Sequence, residues 1–157
     1  MQNNYDNLTR NAIKDRKINN LTYQGYTLSM RNGAVDLRNS SGKPVNIYWG
    51  PAGFSWIAFF FPFAVCSQIK EWSYFYVVGS ILLLASLVQG TTGYEANYAL
   101  GTVIGINYGF MFPYLRKIAN DSGVEEIPKG KSIIVGLLLT IVCAIPSLLI
   151  DAMFGNF

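Results

Sequence analysis

Residues able to do acid–base, nucleophilic or metal chemistry are few and scattered in this 157-residue chain. Histidine is absent, which removes the commonest general base and metal ligand. Cys66 and Cys143 both fall inside apolar runs, where a cysteine serves as a small buried hydrophobe. Glu71, Glu95 and Asp151 fall near the ends of hydrophobic segments. They are far apart in sequence, and the topology argued below puts Glu71 on one membrane face and the other two on the opposite face. No paired-carboxylate site follows. Gly130-Lys131-Ser132 has the ending of a phosphate-binding loop, but Glu125 stands where the earlier glycine is required and a long apolar run follows. Gly53-Phe54-Ser55 has no histidine to complete a hydrolase triad. The expectation is a chain with no catalytic residues, no cofactor and no metal, and not an enzyme.

Two patterns point to contact instead. Gly101, Gly105 and Gly109 recur every four residues, preceded by Asn97 and followed by Pro113. That spacing lays small residues along one stripe of a helix, where another helix can approach closely. Packing within one bundle is the plainer reading and a contact between copies the sharper one. Asn97, Thr102 and Asn107 are the polar residues of the same segment and need partners in an apolar setting. The second pattern is the basic stretch Arg10, Lys14, Arg16 and Lys17. Beside hydrophobic segments it suits anionic lipid headgroups better than nucleic acid.

The elements that would carry these residues are membrane elements. Hydrophobic residues make up 51% of the chain and charged ones 13%, about half the charged share usual for a soluble domain. From Trp72 to Leu115 the only charged side chain is Glu95, and from Ser132 to Phe157 only Asp151. Crossing a bilayer takes about 20 apolar residues, and three segments qualify: 72–90, 96–115 and 132–154. A fourth run, 54–69, is shorter and interrupted by Pro62. If 54–69 spanned from an inner N-terminus, the four basic residues of the 116–131 loop would lie outside, against the positive-inside rule. If it lies at the interface or dips in and returns, all twelve Lys and Arg residues share the inner side. The second arrangement is expected: an all-α membrane protein with about three transmembrane helices, N-terminus inside, C-terminus outside, and a Phe-rich interfacial or re-entrant helix first.

Residues 1–50 form a polar, basic cytosolic segment, followed by a helical membrane domain over 51–157. Residues 1–20 carry no apolar core of a signal peptide, so the first hydrophobic segment is expected to direct insertion. Asn32-Gly33 lies between the alternating Tyr26-x-Leu28-x-Met30 and Val35-x-Leu37, the signature of a β-hairpin. With Val45-x-Ile47-x-Trp49 this makes either a three-stranded meander or a mobile tail.

The run Gly53-Phe54-Ser55-Trp56-Ile57-Ala58-Phe59-Phe60-Phe61-Pro62 resembles the opening signature of a bacterial family of small membrane proteins, the domain of unknown function 2628 family. Asn107 to Lys117 is similar to that family's second element, an Asn-x-x-Tyr-like segment ending in a basic cluster. The resemblance covers roughly residues 45–125. It departs where Phe61, not Gly, precedes the proline, and where Lys70 alone stands for several basic residues. It implies a multi-pass protein of the bacterial inner membrane and brings no activity or catalytic residue with it. The expected function is to bind or regulate another membrane component, with membrane lipid and a membrane-protein partner or a second copy as partners and no nucleic acid. The alternative is a small oligomeric channel or transporter component.

Overall fold

The computed structural model describes residues 24–31, 34–93 and 97–154. Among these residues it is mostly helical, with one two-stranded sheet. Strand β1 (Thr27–Arg31) pairs antiparallel with β2 (Ala34–Arg38), Leu28 opposite Leu37 and Arg31 opposite Ala34. The expected hairpin is therefore present in the expected register; its turn, Asn32-Gly33, lies outside the described residues.

The third strand of a meander does not form. Val45 N–H still donates to Leu37 C=O at 2.8 Å, and Arg38 bridges Pro44, but the ladder stops there. Pro44 has no N–H to extend it, and the Asn46 side chain accepts from Tyr48 N–H, turning Ile47–Trp49 into a short 3-10 helix. An asparagine that offers the backbone a local bond competes with a strand in this way.

Five α-helices follow: α1 (Trp56–Phe60), α2 (Pro62–Gln68), α3 (Ser73–Thr92), α4 (Asn97–Asp121) and α5 (Lys129–Phe154). Ser55 caps α1 by accepting from Ala58 N–H, and Pro62 opens α2, where its missing donor costs nothing. Helix α2 ends in a Schellman turn, Glu71 N–H to Cys66 C=O and Lys70 N–H to Ser67 C=O. Lys70 takes the left-handed position usually given to glycine, with φ 57°. Gly93, at φ 71°, stops α3 by donating to Gln89 C=O.

Among the described residues two helices, α3 and α5, are long and apolar enough to cross a membrane. The third expected span, α4, has 25 residues but does not meet the same measure of apolarity. Thr102, Asn107, Arg116 and Lys117 dilute it, and Arg116 and Lys117, expected to follow the span, are inside the helix.

Helices α3 and α5 run parallel, Gly79 against Cys143 and Gly90 against Phe154. Helix α4 runs the other way, its end tied to the start of α5 by Arg116–Glu126 at 2.9 Å. The main apolar core, with Ala58, Cys66, Ile69, Tyr74, Phe75, Tyr108, Phe112 and Leu115, gathers α1 to α4 toward the end of the bundle where α2 stops and α3 starts. A second cluster, Leu37 on Tyr114, seats the sheet on α4 at that same end.

Candidate functional site

Helix α4 carries the glycine stripe, and its three glycines have different surroundings. A side-chain carbon at Gly105 would come 2.8 Å from the Phe59 carbonyl oxygen, and one at Gly109 would strike the Phe54 ring. At Gly101 nothing among the described residues lies within 4 Å. The two inner positions thus receive the segment before α2, and the outer one is open. Asn97 opens α4, and its side chain lies outside the described residues. Arg10, Lys14, Arg16 and Lys17 lie outside them too, as does Glu95.

Pro113 explains why the contact at Gly109 is polar as well as close. A proline cannot donate to the carbonyl four residues back, so the Gly109 oxygen is left without its helical partner. Ser55 N–H supplies the missing donor at 2.8 Å. The sequence contained this signal, since a glycine four residues before a proline in an apolar helix needs an outside donor. The identity of that donor is not legible in the sequence, because Ser55 belongs to a separate and much earlier segment.

The segment 54–69 folds back on itself. Phe54 and Phe59 meet α4 at Gly109 and Gly105, moving away from the end that carries Arg116. The chain breaks at Phe61, and the return leg meets α5. A side-chain carbon at Gly136 would lie 2.5 Å from the Phe63 carbonyl oxygen, and Ser67 hydroxyl donates to Ser132 C=O. The return ends where it began. Gln68 C=O accepts from Ile127 N–H at 2.9 Å, and Gln68 and Arg116 share the Glu126 carboxylate, each at 2.9 Å. Lys117, 8% exposed, pairs with Asp121 one turn on.

Several other polar residues of the long helices are hydrogen-bonded, while Thr102 is exposed. Tyr48 hydroxyl donates to Asn107 Oδ1, and Asn107 Nδ2 donates to Val103 C=O at 3.0 Å. Thr140 and Ser147 hydroxyls return to Gly136 and Ala144 carbonyls of their own helix. Ser73 hydroxyl donates to Glu71. Glu71 and Asp151 stand at opposite ends of the bundle, and Asp151 Oδ1 is buried without a hydrogen-bond partner among the described residues. Cys66 is fully buried, and burial first, then the Glu71 carboxylate, pushes its thiol far above the ordinary range. Among the described residues no group of three side chains able to hold a metal ion is gathered. The arrangement offers a packing surface and a charged rim. Comparison with family models, with curated proteins and with solved structures finds no match for this chain.

Proposed function

We propose that the chain is an integral membrane protein of three spans, α3, α4 and α5, with 54–69 as a re-entrant hairpin, and that it acts by binding a membrane component. One observation carries the membrane placement. The residues that α5 buries are Ser132, Gly136 and Ser147, while Ile134, Leu138, Ile141, Val142 and Leu149 are each more than half exposed. A helix in water buries its large apolar residues. One in lipid packs through its small and polar residues and shows the large ones to acyl chains.

Helix α3 has a related pattern, with Ala85 and Ser86 buried and Leu84 and Val88 exposed. Only 22% and 11% of the most apolar stretches of α3 and α5 are buried, whereas a core helix of a soluble protein is mostly covered. Helix α4 joins them as a span because it is antiparallel to α5, follows α3 after a short connection and is long enough to cross. Lys70, Arg116, Lys117, Lys129 and Lys131 then share the end that carries the sheet, as the positive-inside rule asks. The resemblance to the domain of unknown function 2628 family agrees with an inner-membrane setting.

Binding is preferred to transport for a specific reason. Asn107 is engaged by Tyr48 and by its own helix, and Gly105 and Gly109 are filled by phenylalanines, so these residues supply no polar wall for a pathway.

Impermeant thiol labelling of single-cysteine variants in oriented membranes tests the topology. Ser41→Cys and Ser122→Cys should label from the cytoplasmic side, and Thr91→Cys and Met153→Cys from the other. Labelling of all four from one side would end the three-span reading. Flux through proteoliposomes above that of empty liposomes would replace binding by transport.

A further inference from the structure

We propose that the chain is a wedge, broader in the leaflet on the side of the sheet, and that it concentrates where this leaflet forms the convex face of a curved membrane. The inference rests on the bilayer placement given above and extends it from topology to shape. Its occupant is lipid: the acyl chains of one leaflet against the outer face of the α1–α2 hairpin.

Neither arm of that hairpin can cross. Helix α1 has 5 residues and α2 has 7, which at about 1.5 Å per residue are roughly 8 and 10 Å long. The hairpin turns back level with Gly105 and Gly136. Those glycines lie on the order of 10–16 Å along their helices from Lys129 and Arg116, at about 1.5 Å per residue. A hydrocarbon core is about 30 Å thick, so the turn falls near the bilayer midplane.

One leaflet therefore accommodates α1 and α2 together with the three longer helices, and the other accommodates the longer helices alone. On that far side α3 ends at Thr92 and α4 begins at Asn97, and so small a separation in sequence keeps the two helix ends close. Facing outward from the hairpin are Trp56, Ile57, Phe60 and Phe61, each between 55% and 66% exposed. These bulky apolar groups displace lipid on one side of the midplane only, and insertion confined to one leaflet favours expansion of that leaflet.

The test uses the full chain with Lys43→Cys carrying a fluorophore, reconstituted into giant vesicles of phosphatidylcholine and phosphatidylglycerol from which a thin tube is pulled. An impermeant quencher separates molecules with the sheet outside from those with it inside. The tube-to-vesicle ratio, normalised to a lipid dye, should exceed unity for the quenchable population and fall below unity for the protected one. The double variant Trp56→Ser/Phe60→Ser alters exposed side chains and leaves the buried Ala58 in place; its ratio should move back toward unity. Ratios of unity for both populations, the opposite signs, or a double variant that sorts as the parent does would each overturn the wedge.

Depth is read independently from Trp56 fluorescence in a Trp49→Phe/Trp72→Phe background with brominated lipids. Absence of quenching would overturn the bilayer placement of the hairpin, and the wedge with it. Quenching combined with ratios of unity would overturn the wedge alone.

Discussion

At the scale of single residues, Gly101 and Gly105 make a matched pair one helical turn apart. A leucine at Gly105 must displace the Phe59 backbone, because the obstructing atom is a carbonyl oxygen at 2.8 Å. Overpacking of this kind costs typically about 1–3 kcal/mol. Gly105→Leu should therefore lower the melting temperature in detergent and reduce yield, whereas Gly101→Leu, with nothing among the described residues within 4 Å, should stay within about 0.5 kcal/mol of the parent. Size-exclusion chromatography after a heating series reads both. Equal melting of the two variants would mean that the stripe acts as one contact face, as a uniform helix–helix seam would. The lysine at position 70 is another local departure. Its left-handed backbone is held by the turn bonds to Ser67 and Cys66, and a side chain there costs roughly 1 kcal/mol relative to glycine.

At the scale of elements, the hairpin depends on a defect in its neighbour. Pro113 frees the Gly109 carbonyl, and the chain before α1 uses it. Pro113→Ala would return a helical donor to that carbonyl. The Ser55 amide should then exchange with solvent roughly fivefold faster, matching a lost hydrogen bond of about 1 kcal/mol, as read by hydrogen–deuterium exchange on peptides covering residues 50–58. Unchanged exchange would show that Phe54 and Phe59 hold the hairpin without this bond.

The elements were unequally legible in the sequence. The β-hairpin was readable because alternation and Asn32-Gly33 are local, and so was the break at Pro62. The third strand, one of two readings the sequence leaves open, is suggested by the alternation of Val45-x-Ile47-x-Trp49, while the Asn46 cap that overrides it is a matter of one side chain. That 54–69 returns to its starting side depends on Gly105 and Gly136, which lie on two separate later helices. Gly136 has no glycine at a four-residue spacing; Ser132 and Thr140 flank it at that spacing, a weaker signal that does not say what packs there. The basic stretch from Arg10 to Lys17 lies outside the described residues and keeps its status as an expectation.

At the scale of the whole molecule, the outward display of aliphatic side chains on α5 separates water from lipid as the surrounding solvent. Ile141 is 57% exposed and lies in the middle of that helix. In water a lysine at such a position would change stability by no more than about 0.5 kcal/mol. At the centre of a membrane helix a lysine costs roughly 2.5–3.5 kcal/mol. Ile141→Lys should therefore lower the fraction of chain recovered in carbonate-washed membranes, and parental recovery with parental melting would remove α5 from the bilayer.

The fold-back of residues 54–69 also sets an order of events in time. Ser67 bonds a residue 65 positions later, and Gln68 one 58 positions later. At the roughly 5–20 residues per second of synthesis, the partners of this segment arrive about 3–13 s after it leaves the ribosome. During that interval its apolar arms have neither α4 nor α5 to rest on. Under the bilayer placement proposed above, the membrane interface would hold them, and Trp56 with its neighbouring phenylalanines suits that waiting place. The hairpin is thus early in sequence, and its contacts with Ser132 and Gly136 can form only once the start of α5 has been made.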